Sequence, residues 1–262
     1  MLRIGLLRTQ IDINWSRRLI QIFVYVICVF YLCNVCSAEN TKLPPEEKLV
    51  YDVYWKLVKV GYSTLEIKGI VDFNGQKAYH FYSEAKSAPF FGTFFKVRDF
   101  TNSWVDVEKF HSITFEHHIS EGRYKRNRRI VYDQNKHLAT NSKGESFEIL
   151  ENALDVLASL YLVRLQEIKP KNTFTLNVNS NKKNYKMKVV VHDRETIMIN
   201  EQKYETILVE PDLQDAGIFM NKGRVLIWMT DDEYHIPVKM TSKIAIGSIV
   251  AKLNTSAVAP LR

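Results

Sequence analysis

The 262-residue chain is 46% hydrophobic, 25% charged and 12% aromatic, and it carries a formal net charge of +7. Its few glycines and prolines and its three cysteines exclude a disordered, collagen-like or disulfide-framework chain. The length allows one large or two small domains, and an all-β fold can use most of it as a single unit.

Arg17 and Arg18 precede an apolar stretch, Leu19 to Cys36, interrupted only by Gln21 and Asn34; Cys36-Ser37-Ala38 then supplies the small residues a signal peptidase needs. Residues 1–38 read as a cleaved secretory signal. The alternative is an uncleaved 19–36 segment that tethers the chain to the inner membrane, since about eighteen residues at ~1.5 Å rise approach the thickness of a bilayer core. Both readings export the rest. Cys28, Cys33 and Cys36 all fall in this segment, so the exported part has no cysteine and must be stable through its core alone. Leu32 and Val35 stand before the last two cysteines, where lipidation needs a small residue. Residues 1–38 hold four arginines against one aspartate, which leaves about +4 on the exported part. That mild excess gives no ground for nucleic-acid binding.

After a polar lead-in over 39–47, the chain turns to near-alternating runs rich in Tyr, Val, Ile and Phe, the pattern of half-buried strands. Lys48 to Val58 and Tyr62 to Phe73 flank Gly61 as a hairpin, and Asn74-Gly75 turns the chain into Gln76 to Ser87. Further strands are predicted at Lys96 to Val107, Ser112 to Glu121, Arg126 to Asp133, Thr173 to Asn179, Tyr185 to His192, Lys203 to Val209, Arg224 to Thr230, Val238 to Ile246 and Ser248 to Asn254. Asn141 to Ser146 and the turn around Lys182 read as loop insertions. One helix is predicted, Ala153 to Gln166, capped by Asn152 and stopped before Pro170. Its apolar residues occupy almost every face, so it must be buried on most sides. The pattern therefore predicts a mainly β fold: a strongly curved antiparallel sheet, an open barrel or half-barrel, wrapped around one buried helix. Residues 48–254 form a single domain, and 255–262 a loose tail.

The usual local signatures of acyl transfer, dinucleotide, phosphate and zinc chemistry are absent, so no catalytic residue, cofactor or metal site is assigned and the chain is not read as an enzyme. His117 and His118 are neighbours on a strand and point to opposite faces, which keeps them from sharing a metal. Asp231, Asp232 and Glu233 precede Ile236-Pro237 and read as a turn held by side-chain to backbone bonds. Arg123, Lys125, Arg126, Arg128 and Arg129 form the densest basic run, which is either a solvated strand pair or an attractor of phosphate head groups. The segment 88–95 holds Phe90, Phe91, Phe94 and Phe95 beside a Pro and a Gly, with no period that separates a polar face. Core, the rim of an apolar cavity and a loop entering a membrane interface all remain open for it.

Asp155 to Arg164, Trp228-Met229-Thr230-Asp231-Asp232, Ile236-Pro237-Val238-Lys239 and the closing Gly247 to Leu253 resemble the bacterial exported family catalogued as domain of unknown function 3108. Leu49-Val50-Tyr51-Asp52-Val53 and Val60-Gly61 agree with its opening, so the resemblance runs from about Lys48 to Leu253. It implies a periplasmic location and a curved antiparallel sheet, and it supplies no activity. The architecture is also similar to periplasmic lipoprotein carriers of the LolA and LolB type, an analogy of shape alone.

The function expected from this reading is a periplasmic binding or carrier protein for a hydrophobic or amphipathic, lipid-like ligand. Phe90, Phe91, Phe94 and Phe95 would stand at the mouth, Leu157, Leu160, Tyr161 and Trp228 toward the interior, and Arg126 and Arg128 would meet a head group or acidic partner. The rival is a cell-envelope structural or interaction module whose core is fully packed and holds no ligand. Expected partners are a lipid or acyl chain, an envelope protein and the membrane surface.

Overall fold

Asn74 and Gly75 both take positive φ (56° and 84°), as a tight hairpin turn requires, and the Gly75 N–H donates to Asp72 Oδ1 at 2.9 Å. This turn joins β2 (Val58–Phe73) to β3 (Gln76–Ser87), and the same logic repeats along the chain. The computed structural model describes residues 43–180, 182–212, 224–244 and 247–256. The expected signal over 1–38 and the tail beyond 256 lie outside the described residues.

The remaining elements are β1 (Glu47–Trp55), the short helix α1 (Pro89–Phe94), β4 (Arg98–Asp106), β5 (Ser112–Glu121), β6 (Tyr124–Asp133), β7 (Leu138–Asn141), β8 (Ser146–Glu148) and helix α2 (Val156–Leu165). After α2 come β9 (Thr173–Ser180), β10 (Lys183–Ile199), β11 (Gln202–Pro211), β12 (Val225–Thr230), β13 (Pro237–Ile244) and β14 (Gly247–Leu253). Among the described residues these form one 14-stranded antiparallel sheet in the order β8-β7-β6-β5-β4-β3-β2-β1-β14-β13-β12-β11-β10-β9. Every strand pairs with its chain neighbour except at two places. β1 pairs with β14, and α2 stands between β8 and β9.

The ladder does not close, since β8 and β9 are its edges, but the edges are stitched to one another. Leu154 bridges Val178 in parallel, with the Leu154 N–H on the Asn177 carbonyl and the Asn179 N–H on the Leu154 carbonyl. Asn184 Nδ2 donates to the Glu148 carbonyl at 2.8 Å, and Lys182 pairs with Glu145. Curvature comes from bulges in the long strands. One lies between Ile67 and Ile70 at Gly69, whose φ is +109°, and another between Val191 and Arg194.

Four local expectations change. The β1–β2 turn sits at Lys56 and Leu57 rather than at Gly61, which is a strand residue facing Ser87. Its role is close approach: a Cβ there would lie 2.4 Å from the Lys86 carbonyl oxygen. The helix starts at Val156 because residues 153–154 are drawn into the seam, and its cap is Asp155, not Asn152. The stretch 141–146 is the tip of a β7–β8 hairpin, two short strands with too few residues to show alternation. The Phe segment forms α1, one short helix with no buried residue.

Candidate functional site

Because the strands run alternately up and down, their connections gather at two ends of the sheet. The end holding the β2–β3, β4–β5, β10–β11 and β12–β13 turns is plugged by α2. Its N-terminus is fixed by Asp155, which is buried and accepts from the Leu157 and Ala158 amides at 2.9 Å and from the hydroxyls of Ser103 and Ser112 at 2.6 Å. Burial pushes the Asp155 carboxyl up, while those donors pull it back down. The C-terminal turn of α2 is fixed by Arg164. Its guanidinium makes a bidentate pair with Glu47 at 2.6 and 2.8 Å, both side chains being 1% exposed, and Nε donates to the Tyr234 carbonyl. His235 Nδ1 meets the Arg164 carbonyl at 2.8 Å. Helix α2 is thus bolted at its N-terminus to β4 and β5 and at its C-terminus to β1 and the β12–β13 turn. Tyr161 stacks on Phe81 with ring centroids 3.9 Å apart and completes the plug.

Above this plug the helix does not fill the sheet. A cavity of about 380 Å³ remains between α2 and the concave face. Its floor is the upper side of α2, namely Val156, Leu157, Leu160 and Val163, and one wall is Met187, Val209, Ile227 and Met240. The facing wall carries a polar row, Ser83 of β3, Thr101 of β4, His117 of β5 and Arg128 of β6, side by side through the registers Ser83–Thr101, Thr101–His117 and His117–Arg128, with the apolar pair Phe115–Ile130 nearer the plug. The lining also includes Ser180, the last residue of β9, Pro211, the last of β11, and Val225, the first of β12. The cavity therefore extends to the end of the sheet opposite the plug. Burial holds the His117 imidazole below its ordinary pKa, aided by Arg128 and His118 and opposed by Asp99. Burial and the charge of Arg126 likewise lower that of Arg128. An apolar body with one cationic corner suits a ligand with an apolar chain and an acidic head.

The predicted site residues divide among three places. Leu157, Leu160 and Arg128 line the cavity, and Arg126 is exposed one step further along the same face of β6. Tyr161 is interior but belongs to the plug. Trp228 does not line the cavity. Its neighbour Ile227 does, whereas the indole donates to Glu195 at 2.5 Å and lies under Lys239 Nζ, 4.0 Å from its ring. Phe90, Phe91, Phe94 and Phe95 sit on α1 and just after it, outside the cavity but at its open end. His117 and His118 split across β5, the second stacking on Phe100 at 4.3 Å. Asp232 Oδ1 accepts from the Tyr234 and His235 amides, the turn role expected for that acidic group. Ser83, Thr101, Met187 and Met240 carry no local signal of a cavity; only the register reveals them.

The profile of the family described as "Protein of unknown function (DUF3108)" matches residues 50–254. The chain belongs to the DUF3108 family. The match runs from Val50 within β1 to just past β14, so it covers α2 and the cavity wall and begins three residues after Glu47. No curated protein matches the chain. Among solved structures, it is similar to the crystal structure of a beta-barrel-like protein of domain of unknown function DUF1849 from Brucella abortus, with a TM-score of 0.54 and 12% identity, covering 80% of this chain and 95% of that one. At that identity the likeness is one of fold, and it makes the DUF3108 sheet a beta-barrel-like architecture shared between families.

Proposed function

We propose that this DUF3108 protein binds an amphipathic ligand, its apolar chain between α2 and the Met187–Val209–Ile227–Met240 wall and its acidic head at Arg128. The observation that carries the reading is the cavity itself: about 380 Å³, lined mainly by apolar side chains, with the polar row Ser83, Thr101, His117 and Arg128 along one wall. Its volume falls within the ~300–1,000 Å³ of small-molecule sites. Each methylene buried there would contribute about 0.8 kcal/mol, so a chain of several carbons can be held without any catalytic group. The reading includes an exported, periplasmic chain, supported by the apolar run 19–36 and the small residues before Glu39.

Native mass spectrometry of the protein purified from an exporting host, followed by organic extraction, tests both parts. The expected result is an N-terminus at Glu39 and a stoichiometric co-purified amphiphile, lost in Leu160→Arg. An apo mass that takes up no added fatty acid or phospholipid would overturn the binding reading.

A further inference from the structure

The end of the sheet opposite the plug exposes large apolar side chains on connections that also carry exposed cations. Leu57 at the β1–β2 turn is 94% exposed; on and beside α1, Phe94 is 77%, Phe90 69% and Phe95 57% exposed. These belong to one surface. The Ala88 N–H donates to the Val60 carbonyl, tying α1 to the β1–β2 hairpin, and the Gly122 N–H donates to the Lys96 carbonyl while Val97 bridges Glu121, tying it to the β5–β6 turn. That turn adds the exposed Tyr124. The same connections and the start of β6 carry exposed Lys56, Lys96, Arg123, Lys125 and Arg126 against one exposed carboxylate, Glu121. A hollow beside α1 is lined by Lys86, Lys96 and Arg98 together with Ser87 and Thr93.

We propose that this rim is a docking surface for an anionic lipid bilayer. Three observations select that partner. First, the exposed phenylalanines lack any polar handle, which suits acyl chains. Their helix also pairs part of its backbone internally, the Gly92 and Phe95 amides donating to the Ala88 and Phe91 carbonyls and the Thr93 hydroxyl to the Pro89 carbonyl. Second, exposed cations stand on the connections that carry the apolar patch, so head-group phosphates would meet them once the rings sit about 5–10 Å into the interface. Third, a second copy of this chain presenting the same rim would bring like charges together, whereas an anionic surface neutralises them. The proposal rests on exposed residues and goes beyond the cavity reading, although the cavity faces the same end.

Sedimentation with vesicles tests it, using full-length protein from an exporting host, vesicles of phosphatidylglycerol and phosphatidylcholine in equal parts, and vesicles of phosphatidylcholine alone. All variants share the same N-terminal residues, so differences between variants are the readout. Phe90→Ser with Phe94→Ser should keep its melting temperature and lose roughly tenfold or more in partition to both vesicles. Lys56→Glu with Lys96→Glu should lose about fivefold per cation on anionic vesicles alone, with the neutral-vesicle value unchanged. Partition unaltered in both variants overturns the proposal. So does a wild-type chain that ignores vesicles while its Phe patch drives self-association or captures an envelope protein.

Discussion

The two ends of the sheet are built on opposite principles. At the plugged end, charged groups are taken out of water and matched completely: Arg164 with Glu47, Asp155 with two serines and two amides. At the open end, phenylalanines are left in water beside connections rich in exposed cations. Inverting the usual placement at both ends concentrates geometric specificity in the plug and leaves the rim free to be used. A buried ion pair contributes little net stability over apolar residues, but its geometry admits one docking of the helix against the sheet.

The largest effect should come from breaking the plug. Arg164→Met alone leaves Glu47 charged and buried, and is expected to cost about 3–5 kcal/mol in denaturant unfolding. Adding Glu47→Leu should return most of that loss; a double variant no better than the single one would mean the pair supports something other than itself. Next is Asp155→Ala, which removes the α2 cap and strands the two serine hydroxyls, for an expected loss of about 2–3 kcal/mol. Asp155→Asn, able to keep the cap bond, should lose less. The cavity wall gives a smaller, pH-dependent effect. His117 is held below its ordinary value of 6.5 chiefly by burial, so the unfolded chain takes up its proton first. Stability from this group is therefore full above about pH 6.5 and declines as pH falls below it. His117→Gln should flatten that slope in thermal melts between pH 7 and 5. The smallest effect belongs to the rim: Phe90→Ser with Phe94→Ser should move stability by no more than ~0.5 kcal/mol, as surface substitutions do. A large loss there would erase the contrast between the two ends.

The sheet was far more legible in the sequence than the bonds that hold the plug, and the Phe segment stayed open between core, cavity rim and membrane loop. Alternation reports which face of a strand is buried, so β1–β6 and β9–β14 could be read strand by strand, and Asn74-Gly75 declared its own turn. The plug depends on distant partners. Glu47 sits in a polar stretch that reads as solvent-facing, and Arg164 sits at the end of an apolar helix; a separation of 117 positions gives no local hint of a bond. Asn152 and Asp155 are both capping types, and only the fold distinguishes them: Asn152 has φ 50°, whereas Asp155 is extended and reaches two amides. The cavity was half legible. Leu157, Leu160 and Arg128 stand out as apolar helix face and basic run, whereas Ser83 and Thr101 are small polar residues that matter only because of what they face.

The pairing of β1 with β14 also sets an order of events. Every other pairing in the sheet joins strands that follow one another in the chain and so closes over a short separation. β1 must wait for the last strand, registered from Tyr51 on Leu253 to Trp55 on Ile249. Until then the chain consists of two half-sheets, β1–β8 and β9–β14, whose unpaired β1 edge is a template for strand addition. A nascent chain stopped before Gly247 would hold that edge open, and a factor that shields it, or the speed with which the final segment arrives, decides whether the molecule closes on itself or on a neighbour.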